Sequence, residues 1–191
     1  MGWSHGGCVA QQYAITYPQA LSKLILFDTT ACLKEFMGDI EGSVQKFKNE
    51  PWFEKSFAAL KRELSSEIKT DEVLTQLWED EAKFYFKEFN AQAQAYHERT
   101  KHLMIRSAPQ KIFTEHEAVE MDLRPHLSKI QVPTLVIVGR HDFITGVGMA
   151  EEIVSRIPQA KLEIFEESGH YAMVEEPQKF YWVVKKFVVG V

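Results

Sequence analysis

The feature that most constrains this chain is a pair of short apolar runs that do not alternate. Residues 24–27 read Leu-Ile-Leu-Phe and stop at Asp28-Thr29-Thr30. Residues 134–138 read Thr-Leu-Val-Ile-Val, follow Pro133 and lead into Gly139. A strand with one wet face alternates apolar and polar residues. A continuous run means that both faces are covered, as in a parallel sheet flanked by helices. A third run at 161–165, Lys-Leu-Glu-Ile-Phe, does alternate. Helices are expected between and around these strands. Residues 5–17 are small and apolar and end at Pro18, 147–157 are amphipathic and end near Pro158, and 177–189 open with Pro177. Strand–helix–strand–helix order implies an α/β fold with a mostly parallel sheet.

Residues 31–123 differ in character. Charge is dense, glycine is nearly absent after Gly42, and aromatics recur. Helices are expected over 53–67, 71–89 and 91–105. In the second, Val73, Leu74, Leu77, Trp78, Ala82, Tyr85, Phe86 and Phe89 recur at helical steps, with Asp71 as the expected N-cap. The segment reads as an all-helical lobe.

Composition narrows the function classes. Net charge is −5 and the basic residues are scattered, which argues against a nucleic-acid partner. No run approaches the roughly 20 apolar residues of a membrane span, and no leader pattern is visible, so the cytoplasm is the expected compartment. Cys8 and Cys32 match no zinc or redox spacing and are expected as reduced, packed thiols. His97 and His102 miss the i, i+4 step that puts two ligands on one helix face. No metal and no cofactor are expected. His5, His97, His102, His116, His126 and His141 are expected to lack catalytic imidazole roles.

Three positions carry chemistry. Gly2-Trp3-Ser4-His5-Gly6 matches G-x-S-x-G, in which a serine sits on a sharp strand-to-helix turn. The residues two before and two after it are expected to crowd, so both should be glycine. The strand before this turn is expected to be missing. Asp142 follows the 134–138 strand and His170, in Ser168-Gly169-His170, follows the next; catalytic groups of open α/β sheets lie at such carboxyl ends. His170 would take the serine proton and return it to the leaving group. Asp142 would fix the imidazole tautomer. Three alternatives stay open: Ser4 as a helix-capping serine, His170 as a surface-loop histidine, and Asp28, which also follows a buried strand, in the acid's place.

The elbow, the 24–30 stretch, the run from Pro133 to Asp142 and Ser168-Gly169-His170 together resemble the α/β-hydrolase superfamily, most closely its proline iminopeptidase-like branch. The resemblance implies Ser4 as nucleophile, Asp142 as acid, His170 as base and the His5 backbone N–H in the oxyanion hole. It implies the C-terminal part of an α/β-hydrolase core at 1–30 and 124–191, with a helical cap at 31–123. It also implies that about the first hundred residues of the family pattern have no counterpart, among them the source of a second oxyanion donor, whose loss costs about 10²–10³ in rate. The 24–27 strand would then keep an unpaired edge, open to a second chain or to a missing N-terminal segment.

Trp3, Trp78, Glu79 and Tyr85 are the expected substrate-pocket residues, with the His5 side chain a further candidate. The clusters Glu79-Asp80-Glu81 and Glu115-His116-Glu117 are either solvated faces or, for an aminopeptidase, a hold on the substrate ammonium. The expected activity is serine-dependent hydrolysis of a small ester, amide or short peptide. Iminopeptidase-like, carboxylesterase, lactonase and C–C hydrolase forms all remain open. So does an inactive fragment that serves only as a subunit or binding module.

Overall fold

The computed structural model describes residues 1–34, 40–65, 67 and 69–190. Strands β1 (Gly2–Trp3), β2 (Leu24–Phe27), β3 (Thr134–Gly139) and β4 (Ala160–Phe165) form a four-stranded sheet in that order, with every neighbouring pair parallel. The helices in chain order are α1 (His5–Thr16), α2 (Ile40–Ser43), α3 (Phe53–Leu64), α4 (Asp71–Glu81), α5 (Ala91–Thr100), α6 (Ser107–Ile112), α7 (Ala118–Glu120), α8 (Val147–Arg156), α9 (Ala172–Glu175) and α10 (Pro177–Val189).

Both faces of the central strands are covered, as the unbroken runs require. Leu24, Leu26, Val136 and Val138 point to one face, where they pack with Ala14 of α1 and Ala150 and Ile153 of α8. Ile25, Phe27, Leu135 and Ile137 point to the other, against Ala172 of α9 and Val183 of α10. The period of two along a strand makes this division, and each large side chain so buried stabilises by about 1.5–3 kcal/mol. Strand β4, an edge, is half exposed.

A strand does precede Ser4, contrary to expectation. Gly2 pairs with Leu26 and Trp3 with Phe27. The open edge of the sheet therefore runs along β1, not β2. Two residues, one of them glycine, carry too little pattern to read as a strand.

The helical insert leaves and re-enters the core at one neck. Cys32 and Asp122 form an antiparallel bridge, Leu33 N–H donates to Met121 O at 3.0 Å and Leu123 N–H to Ala31 O at 2.8 Å. Its apolar centre, built on Val44, Phe53, Leu60, Phe84 and Phe86, also takes in Phe143 and Val174 from the core side. The insert's helices are shorter than expected. Helix α4 stops at Glu81 and the chain tightens into a 3-10 turn over Ala82–Tyr85. Phe84, Tyr85 and Phe86 are all buried, and three consecutive residues cannot share one stripe of an α-helix. Helix α3 ends at Leu64, before an extended Ser65, and α5 ends at Thr100; residue 66 of the expected 53–67 helix lies outside the described residues. The N-cap of α4 is Thr70, whose side chain accepts from Val73 N. Asp71 instead receives Ser107 N–H and Oγ–H and Arg106 Nη1 at 2.7–2.8 Å, which holds its carboxyl down at about 2. No helix among the described residues is long and apolar enough to cross a membrane.

Candidate active site

Ser4 lies at the turn from β1 into α1 with φ 52° and ψ −128°. Positive φ is costly for a residue with a Cβ and persists where its surroundings fix it. Here Ser4 N–H donates to Phe27 O at 3.1 Å, while Gly7 N–H and Thr29 Oγ1 donate to Ser4 O at 2.8 and 2.7 Å. The Ser4 side chain makes no capping bond, which removes the support for the capping alternative. The crowding of the turn is one-sided. A Cβ on Gly2 would lie 2.3 Å from Gly6 O, whereas a Cβ on Gly6 would meet nothing within 4 Å. The expectation that both glycines are sterically required therefore holds for Gly2 alone, because the Gly6 carbonyl, not its Cα, makes the contact. His5 is the first residue of α1. Its N–H has no intrahelical acceptor and lies at the positive end of the helix dipole.

Asp142 follows β3 and is buried. Its Oδ1 accepts Ile144 N–H at 2.9 Å and Thr145 N–H at 3.1 Å. Its Oδ2 accepts Thr145 Oγ1–H at 2.7 Å and faces His170 Nδ1 at 2.8 Å. Burial alone would raise this carboxyl, but His170 and the Thr145 bonds outweigh it and hold it below its ordinary value. It is therefore an acceptor, which obliges His170 to present Nδ1–H to it and leaves Nε2 free to take a proton. The His170 backbone is pinned as well: its N–H donates to Tyr85 O at 2.7 Å, and its carbonyl accepts Trp3 Nε1–H at 3.1 Å. The rings of Trp3, Tyr85 and Tyr171 surround the imidazole with centroids 5.4, 5.6 and 6.0 Å away.

Asp28 sits elsewhere in this network. It is buried at φ 46° and accepts Gly139 N–H at 2.9 Å on Oδ1, with Oδ2 unpartnered. Burial and the nearby Asp142 push its carboxyl well up. No hydrogen bond joins it to His170 among the described residues, so the geometry favours Asp142 over it.

Ser4 and His170 open onto one cavity of about 550 Å³. No direct hydrogen bond joins their side chains among the described residues. Trp3 and His5 line the cavity from the core, and Trp78 and Tyr85 from the insert. Glu79 does not line it and stays half exposed. Helix α4 turns the Glu81 side of its surface inward instead: Glu81 is buried, with Oε2 unpartnered. Glu63 of α3 does line the cavity and accepts Gln110 Nε2–H at 2.6 Å. Burial raises both carboxyls, and Glu81 is pushed further up by Glu63. Trp78 Nε1 is likewise buried without a partner. Glu117, from the other acidic cluster, bonds His5 Nε2 at 2.5 Å in an exposed contact. Glu63, Thr145 and Tyr171 carry no sequence signal of their own; each is recruited by packing. Cys8 and Cys32 are buried and free, and no metal-binding cluster of three or more His, Cys, Asp or Glu occurs among the described residues.

The comparisons with known proteins agree with this architecture. A family model described as alpha/beta hydrolase fold matches residues 1–177. A proline iminopeptidase of Saccharolobus solfataricus is 30% identical, with 98% of this chain and 61% of that protein covered. A pimeloyl-[acyl-carrier protein] methyl ester esterase of Nitrosomonas europaea is 25% identical over 94% of this chain and 66% of its own length. The solved structure of an alpha/beta fold family hydrolase from Bacillus anthracis superposes with a TM-score of 0.75 at 24% identity, covering 97% of this chain and 65% of that one. The chain thus spans less than two thirds of the length of each of these proteins. On the match over residues 1–177, the chain belongs to the α/β-hydrolase fold family.

Proposed function

We propose that the chain carries the acid, base and nucleophile of a serine hydrolase that works through an acyl-enzyme. The observation that carries this reading is the buried His170–Asp142 pair at 2.8 Å, opening onto the cavity that Ser4 also lines. In the reaction His170 Nε2 takes the Ser4 hydroxyl proton as Oγ attacks the substrate carbonyl carbon. The oxyanion accepts the His5 N–H. The tetrahedral adduct collapses, the C–O or C–N bond breaks, and the leaving group departs with the proton from His170. Water, deprotonated by the same imidazole, then releases the acid and restores Ser4. Asp142 stays ionised and holds the ring in its productive tautomer.

The narrower reading is an aminopeptidase of the iminopeptidase kind. Its support is Glu63, which lines the cavity from the insert and which burial raises against the pull of Lys69; Glu63 in turn pushes up the carboxyl of the buried Glu81. A substrate ammonium against Glu63 would form a charge-assisted hydrogen bond. The second reading, an esterase or lactonase acting on a neutral acyl group, is supported by the rest of the lining, which includes Ile40, Leu60, Leu64 and Ile105. The open edge of β1 supports one further element: a preceding segment or a second chain that extends the sheet.

A fluorophosphonate probe on the purified chain tests the core of this proposal. Wild type should label and Ser4→Ala should not; labelling that survives the substitution rejects Ser4. Parallel panels of p-nitrophenyl esters and aminoacyl-naphthylamides separate the readings. Turnover of esters alone rejects the aminopeptidase form.

A further inference from the structure

Two carboxylates behind His170 are not used by the chemistry above. Glu175, the last residue of α9, accepts Gly169 N–H on Oε2 at 2.7 Å and Lys87 N–H on Oε1 at 2.7 Å, with the Glu88 N–H as a third donor. Glu176 accepts Glu167 N–H at 3.0 Å and Ser168 Oγ–H at 2.7 Å on Oε2. The loop that bears His170 is thus held by its own downstream acids. It is also pressed against the insert: a Cβ on Gly169 would lie 2.6 Å from Tyr85 O and 3.0 Å from Lys87 N, and Tyr85 O takes the His170 N–H. Gly169 and Lys87 belong to different segments, and both aim their N–H groups at Glu175. One carboxylate therefore ties residues 85–88 of the insert to residues 167–170 of the core.

We propose that Glu175 is a positioning residue for His170: by joining the imidazole's loop to the insert, it fixes the ring toward Ser4 only while the insert is seated. This rests on the reading of His170 as the general base. The charges around Glu175 are Glu176 beside it, Asp28 from the end of β2, Lys46 from the insert, and Lys87, whose ammonium pairs with Glu167. Burial raises the Glu175 carboxyl to about 7, against the pull of its three backbone donors. Near neutrality it gains or loses the charge that lets both oxygens accept.

The test compares the wild-type chain with Glu175→Gln and Glu175→Asp. Glutamine keeps volume and one acceptor, so it preserves the fold while losing one bond; aspartate keeps charge but loses reach. For ester hydrolysis, kcat should fall about tenfold with KM within about twofold, since loss of fine geometry affects the chemical step. The acid limb of the glutamine variant's kcat–pH profile should lose its component near neutrality. The downfield proton resonance of His170 Nδ1–H, which reports the bond to Asp142, should broaden or move in both variants while the circular dichroism is unchanged. A resonance identical to wild type in both variants overturns the proposal, as does a change in KM alone. The resonance needs no turnover. If the wild-type chain hydrolyses nothing, that outcome bears on the serine-hydrolase reading alone, and the resonance still decides the role of Glu175.

Discussion

Replacing Asp142 by asparagine separates geometry from charge at the centre of the site. The amide oxygen can take over Oδ1, keeping Ile144 N–H at 2.9 Å and Thr145 N–H at 3.1 Å. The amide nitrogen then replaces Oδ2, which now faces Thr145 Oγ1 at 2.7 Å and His170 Nδ1 at 2.8 Å. The threonine hydroxyl can rotate and accept. The imidazole has no such freedom: with a donor opposite Nδ1, its proton must move to Nε2, the nitrogen required to take the proton of Ser4. The expected loss is about 10⁴ in rate, or roughly 5.5 kcal/mol at 1.36 kcal/mol per tenfold. Stability near pH 7 should change by only about 1 kcal/mol, because the volume and two acceptor contacts persist and a buried charge is removed. The pH dependence has a definite sign. The Asp142 carboxyl is depressed in the folded chain, so it stabilises above the ordinary carboxylate value of about 3.9 and that contribution is lost as pH falls through the folded value. The amide that replaces it cannot titrate, so this share of acid unfolding should vanish in Asp142→Asn. The assay is the second-order rate of fluorophosphonate labelling, with urea unfolding at pH 7 and pH 3 alongside. Labelling within about tenfold of wild type would refute the tautomer argument.

Two contrasts follow from the same geometry. Gly2→Ala places a Cβ 2.3 Å from Gly6 O and 2.8 Å from Ala10 Cβ and should destabilise by about 1–3 kcal/mol in urea unfolding. Gly6→Ala meets nothing within 4 Å and should be neutral, or stabilising by up to about 1 kcal/mol from helix propensity; equal losses at both positions would contradict the one-sided turn. Asp28→Asn should keep the bond to Gly139 N–H and tolerate φ 46°. The Asp28 carboxyl is raised in the folded chain, so its favourable contribution is full below the unfolded value and declines as pH rises toward the folded one. The variant should gain urea midpoint over wild type at pH 8 and none at pH 4, and a gain confined to pH 4 would reverse the assignment.

What the sequence made legible is what hydrophobic pattern controls directly. β2 and β3 declare themselves because eight of their side chains are shared between two covered faces. Asp142 could be placed because it follows such a strand, and His170 because it follows the alternating run that became β4. β1 could not be read, since two residues hold no period. The insert's acids show the same boundary from the other side. Glu79 and Glu81 stand in one run of the sequence, yet two steps along a helix turn the side chain by about 200°. Which of them faces inward depends on how α4 packs against α3, a long-range fact absent from local pattern. Glu63 enters the cavity for the same reason.

The insert also packs directly on the neighbourhood of Asp142 and His170. His170 receives a backbone acceptor from Tyr85 and a ring wall from the same residue, and both belong to the insert. Phe143, next to Asp142, is buried in the insert's apolar cluster and meets Tyr85 edge-on at 5.0 Å. Displacing the insert would therefore unseat the neighbours of both acid and base, while the Asp142–Thr145 bonds, made within one turn, would survive. On this physics the insert forms part of the packing around the imidazole.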